Sequence, residues 1–183
     1  MKTLFATVLV SLLAISSAAS AQTPERKDLQ VFNDISKTVN RYPQFTIFDD
    51  VDVVVTSGMV TLTGAVTMPH KREDIEKRVA KVNGVVTVRD QITVLPVSQF
   101  DDELRYRIAR SIYGHSNFWN YAIMANPPIH IVVERGRVTL TGVVATNVDR
   151  MLARSLATQF GALSVTNALK TDAEMRDLLE KSE

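Results

Sequence analysis

The chain contains one motif twice. Val-Thr-Leu-Thr-Gly runs from Val60 to Gly64 and again from Val138 to Gly142. Ser57-Gly58 precedes the first copy and Arg135-Gly136 the second, and Val66 answers Val144. After one deletion, residues 84–88 answer 161–165, and Asp90 and Ile92 answer Asn167 and Leu169. A spacing of about 77 residues is longer than the roughly 20–50 of a solenoid unit, so the repeat predicts two tandem domains.

Each copy reads helix, strand, strand, helix, strand. Val31, Ile35 and Val39 lie four apart and line one helical face; Leu104, Ile108 and Ile112 do the same in the second copy. Val51, Val53 and Val55 alternate, as do Val60, Leu62 and Val66, and Ile129, Ile131 and Val133 repeat the pattern before Val138, Leu140 and Val144. Ser57-Gly58 and Arg135-Gly136 suit two-residue hairpins. Ile75, Val79 and Val82 mark a second helix, answered by Leu152, Leu156 and Phe160. Gly84 and Gly161 are expected to stop these helices, because glycine fits the left-handed position that ends one. Val86, Val88, Ile92 and Val94 then give a third strand, answered by Leu163, Val165 and Leu169.

A hairpin is antiparallel, and a strand–helix–strand crossover joins parallel neighbours. The expected fold is therefore α+β: two αββαβ modules, residues 28–96 and 101–172, each a three-stranded mixed sheet with two helices on one face. Pro96 to Gln99 forms a short linker, and residues 173–183 read as a polar tail. Modules this small gain from shared burial, so contact between them is expected.

The first 21 residues carry one charge, Lys2, followed by an apolar run from Leu4 to Ile15 and the small-x-small site Ala19-Ser20-Ala21. This pattern predicts a cleavable signal peptide cut after Ala21 and a periplasmic protein, since the apolar core is too short to span a bilayer. The charges are 21 Lys and Arg against 20 Asp and Glu. Without the segment bearing Lys2 the chain is formally neutral, which argues against nucleic acid as a partner. The absence of cysteine excludes disulfides, thiol catalysis, Cys-based zinc sites and an acylated N-terminal Cys, so a lipoprotein is not expected. No segment after the signal is long and apolar enough to be transmembrane.

A signal peptide followed by two copies of helix, strand, (Ser/Arg)-Gly-x-Val-Thr-Leu-Thr-Gly, helix, Gly and strand resembles the BON domain family. The second copy, with Ile112-Tyr113-Gly114 and Asn126 to Ile131, is similar to an exported subtype. The resemblance implies a non-enzymatic protein that binds phospholipid surfaces or exported proteins and supports envelope integrity under stress.

Few residues suggest chemistry. His70, His115 and His130 have no second His at metal-ligand spacing, and His130 reads as an exposed strand residue. Asp49, Asp50 and Asp52 lack the oxygen set of a calcium loop and read as solvated acids at a strand entry. Lys71, Arg72, Lys77, Arg78 and Lys81 share their helix with acids and read as a solvated face. Gly58, Gly64, Gly136 and Gly142 match no phosphate-binding or nucleophile-elbow motif and read as turn and strand-edge glycines. No catalytic, cofactor-binding or metal-binding residue is assigned, and no cofactor is expected.

The unusual stretch runs from Tyr113 to Met124. Tyr113, Phe118, Trp119, Tyr121 and Met124 lie between helix and strand of the second copy, where the first has Tyr42, Phe45 and Phe48 but no Trp and no counterpart of 122–126. The second copy carries net +2 against −1 for the first, and Arg105, Arg107 and Arg110 precede the stretch. Two readings are open: the aromatics pack the modules together, or with Arg105 and Arg110 they touch a partner. The expected partner is an anionic phospholipid surface or an envelope protein, with a soluble stress chaperone holding unfolded exported clients as the alternative. The sequence sets no oligomeric state.

Overall fold

A computed structural model describes residues 27–180 of the chain. The proposed signal peptide lies outside the described residues. Module 1 consists of α1 (Asp28–Asn40), β1 (Asp50–Thr56), β2 (Met59–Val66), α2 (Pro69–Val79), β3 (Thr87–Asp90) and β4 (Thr93–Val94). Module 2 repeats the order with α3 (Gln99–Tyr113), α4 (Trp119–Ala122), β5 (Ile129–Glu134), β6 (Arg137–Val144), α5 (Asn147–Ala157), β7 (Ser164–Asn167) and β8 (Lys170–Thr171). A final helix, α6 (Asp172–Glu180), forms within the polar tail.

In each module the second strand is central. β1 pairs antiparallel with β2, and β2 pairs parallel with β3 and β4; β5, β6, β7 and β8 repeat the arrangement. The third strand of each module is thus one strand interrupted by a two-residue break. At the first break Ile92 turns into the core while its N–H donates to the Asp90 carboxylate at 2.8 Å. The outcome is the two-module α+β fold that the repeat predicts.

The hairpins owe their shape to residues far away in sequence. Ser57 and Gly58 have φ of 51° and 73°, and Arg135 and Gly136 have 50° and 74°. Two consecutive left-handed residues match the right-handed twist of the flanking strands, but the first is not glycine and is strained. Its N–H and that of the following glycine are held by one carboxylate. Asp28 accepts from Ser57 and Gly58 at 2.7 and 3.0 Å, and Asp101 accepts from Arg135 and Gly136 at 2.7 and 2.8 Å. The first turn of each leading helix therefore clamps the hairpin of its own module.

Each core forms between the helices and the central strand. In module 1 Val31, Ile35 and Val39 of α1 and Ile75 and Val79 of α2 cover Val60, Leu62 and Val66. In module 2 Leu104, Ile108 and Ile112 do the same, and α5 contributes the buried Ala153 and Ala157 together with the partly buried Leu152 and Leu156. Phe118 joins that core. Ala153 and Ala157 stand where module 1 has Ile75 and Val79. Val86 and Leu163, expected within the third strand, instead precede it and are 77% and 75% exposed.

Candidate functional site

The aromatic stretch of module 2 divides into anchors and an exposed edge. Phe118 is fully buried. The Tyr113 hydroxyl donates to the carbonyl of Ile129 at 2.5 Å and accepts from its N–H at 3.1 Å. Burial pushes its phenol well above the usual tyrosine range. Tyr121 accepts from the Ala145 N–H at 2.8 Å, just past the end of β6. In module 1 the equivalent N–H, of Thr67, donates to the Asp49 carboxylate at 2.8 Å. A phenol in one copy and a carboxylate in the other satisfy the same strand end.

Arg105 is also an anchor. It is 4% exposed, one guanidinium nitrogen donates to the carbonyl of Val133 at 2.6 Å, and another pairs with Asp102. The expectation that Tyr113, Phe118 and Arg105 face a partner is therefore corrected. Each has a role inside module 2, at a backbone group or in the apolar core.

The exposed edge consists of Trp119, Ile123 and Met124, with Trp119 69% exposed. Trp119 and Ile123 are four apart and share a side of α4 and its cap. Phe118 roots this turn, so the neighbouring Trp119 projects outward. No Lys, Arg, Asp or Glu occurs between Ser111 and Val133. Arg107 and Arg110 lie on α3, which contacts α4, and with Tyr106 and Phe160 they line a groove of about 660 Å³. Arg107 pairs with Glu103 at 2.9 Å. Ile123 and Tyr106 are additions to the sequence-derived set. Their signal is helical spacing, from Trp119 to Ile123 and from Tyr106 to Arg110.

The modules meet through other residues. Ile131 donates its N–H to the carbonyl of Ile47 at 2.7 Å, and His130 Nδ1 lies 2.6 Å from the carbonyl of Asp49. A carbonyl only accepts, so Nδ1 carries the proton. The Phe45 ring lies 5.4 Å from that of His130, and Phe48 meets Tyr106 edge-on at 5.2 Å. His130 is thus a half-buried junction residue and not an exposed one. The aromatics that join the modules are Phe45, Phe48 and Tyr106, while Tyr113, Phe118 and Tyr121 pack within module 2.

Two further expectations are corrected in module 1. Asp49 is fully buried and lies 2.6 Å from the Lys71 ammonium, which also donates to Thr67 at 2.7 Å. Burial opposes the charge of Asp49, but Lys71, Thr67 and Thr46 hold its carboxyl below the usual range. Neither Asp49 nor Lys71 is a solvated surface group. Asp50 behaves oppositely: burial raises its carboxyl. Tyr42 is pushed up to about 12 by burial and by its 2.8 Å hydrogen bond to Asp74. Among the described residues no cluster of three or more His, Asp or Glu is placed to hold a metal ion, and no helix is long and apolar enough to cross a membrane.

A family model for the BON domain matches residues 33–96 and 119–173, more than half of the chain. The chain belongs to the BON domain family. The second match begins after α3, although α3 covers the second BON module as α1 covers the first. The chain is 28% identical over 88 residues to the potassium binding protein Kbp of Escherichia coli O6:H1. That alignment takes in 44% of this BON protein and 59% of Kbp, so the likeness reaches only part of the relative. Two solved structures of CdsD, a structural protein of the type III secretion system of Chlamydia trachomatis, align at 15% and 14% identity. The first covers 82% of this chain and 68% of CdsD at a TM-score of 0.32. The second, the C-terminal domain, covers 75% of this chain and 94% of that one at a TM-score of 0.27.

Proposed function

We propose that this protein is an exported, non-catalytic binding protein of the periplasm that associates with phospholipid surfaces or envelope proteins through its second BON module and supports envelope integrity. The observation that carries this reading is the turn at Trp119, Ile123 and Met124, exposed beside the buried Phe118. A tryptophan with an apolar body and one polar N–H suits a membrane–water boundary, and uncharged neighbours lower the cost of bringing it there. Arg107 and Arg110 lie on the last two turns of α3, and α3 contacts α4. They supply attraction to anionic headgroups, screened beyond roughly 10 Å at 0.1 M salt.

The test is flotation with vesicles of phosphatidylglycerol and phosphatidylethanolamine at low and high salt. Wild type floats at low salt and less at high salt. Trp119→Ala and Ile123→Ser reduce flotation at both, and a joint Arg107→Glu and Arg110→Glu change reduces it most at low salt. Flotation unaltered by all of these changes refutes the lipid form of the reading.

A further inference from the structure

The outer edges of the two hairpins are finished differently. A two-residue turn makes the residues beside it a hydrogen-bonded pair, and such pairs alternate along an antiparallel ladder. Thr56 and Met59 form that pair in module 1, and Glu134 and Arg137 in module 2. Val51, Val53 and Val55 therefore turn their N–H and C=O groups away from β2, as Ile129, Ile131 and Val133 turn theirs away from β6.

In module 2 this edge is closed. Tyr113 takes both the N–H and the carbonyl of Ile129, Ile47 takes the N–H of Ile131, and Arg105 takes the carbonyl of Val133. In module 1 the positions equivalent to Arg105 and Tyr113 hold Phe32 and Asn40, one residue after Val31 and Val39 as Arg105 and Tyr113 follow Leu104 and Ile112. Among the described residues no group bonds the outward N–H and C=O of Val51, Val53 or Val55.

This open edge faces a groove. Phe32, Ser36 and Asn40, four apart along α1, line it with β1 from Asp50 to Val53 and with His130, Thr141, Lys170 and Met175, around about 370 Å³. An unpaired row of alternating donors and acceptors is matched by one kind of occupant, an extended strand. Asp52 is exposed and has no ion pair among the described residues, and Asp50 is beside it. A basic side chain on the incoming strand is favoured there. We infer that the outer edge of β1 is a docking site for an extended polypeptide segment with alternating apolar and basic residues, which adds a strand to the sheet of module 1. The site is separate from the Trp119 turn and does not rest on the lipid reading.

The probe is a blocked, fluorescently labelled peptide, Val-Lys-Val-Thr-Val-Lys-Val, with two N-methylated forms, methylated at its even or at its odd internal positions. Strand addition presents alternate N–H groups to β1, so one methylation pattern abolishes binding and the other preserves it. Amide exchange at Val51, Val53 and Val55 slows when the peptide is added. Val53→Pro removes an outward N–H without touching the ladder to β2, and Asn40→Tyr imports the closure of module 2. Each weakens binding about ten-fold, the scale of one or two lost hydrogen bonds. Trp119→Ala leaves it unchanged. Absence of peptide binding overturns the inference. So does binding that both variants retain, or that the two methylation patterns affect alike.

Discussion

The Lys71 ammonium lies 2.6 Å from the Asp49 carboxylate with both side chains out of water, and module 2 has no counterpart of this pair. Pro127 and Asp149 occupy the equivalent positions. Removing one partner leaves an unpaired buried charge. Asp49→Ala is expected to cost about 3–5 kcal/mol in urea denaturation, while exchanging both residues for apolar ones of similar volume costs far less.

The same pair makes module 1 acid-sensitive. Asp49 is held below its unfolded range, so its stabilisation is present above an unfolded pKa of about 3.9 and is lost as pH falls through the lower folded value. The one tryptophan, Trp119, reports on module 2. In an acid titration the amide signals of module 1 therefore collapse at a higher pH than the Trp119 fluorescence changes. Coincident transitions contradict this.

Asp50 has the opposite sign. Burial holds its folded pKa above the unfolded value, so ionisation destabilises the fold as pH rises through that interval. Asp50→Asn is expected to raise Tm at pH 7 and to leave it unchanged at pH 3, by differential scanning calorimetry.

Adjacent aromatics should separate by consequence. Phe118→Ala opens a cavity in the core of module 2 and costs about 3–5 kcal/mol. Trp119→Ala, at an exposed position, stays within about 0.5 kcal/mol. Denaturation midpoints followed by far-ultraviolet circular dichroism compare the two.

The glycines divide in the same way. A Cβ at Gly142, whose φ is +104°, would lie 1.9 Å from the carbonyl oxygen of Pro128, so alanine there forces the β5 and β6 strands apart. At Gly161, φ +75°, a Cβ meets nothing within 4 Å. Gly161→Ala is expected to cost about 1–2 kcal/mol, the left-handed penalty alone, and Gly142→Ala clearly more.

The repeat, the hairpins and the helical stripes are legible in the sequence because each is local. Val31, Ile35 and Val39 need only a helical period, and Ser57-Gly58 needs only two left-handed residues. The start of each copy at Asp28 and Asp101 was visible as well, but its purpose was not, because the N–H groups it holds lie 29 and 34 residues further on. The candidate site was half legible. Trp119 and Met124 are exposed as a partner contact requires, and Phe118, Tyr113 and Arg105 are not.

Composition and period alone determined that this chain folds as a duplicated helix-and-hairpin unit. Only the tertiary structure decided which polar groups left the water. Asp49 found Lys71, His130 met the carbonyl of Asp49, and Tyr113 closed the edge of β5 while β1 stayed open. Periodicity records which face of an element is apolar. The partner of a buried donor or acceptor depends on which distant backbone end is left unpaired when two elements dock, and that distance in sequence carries no period to read.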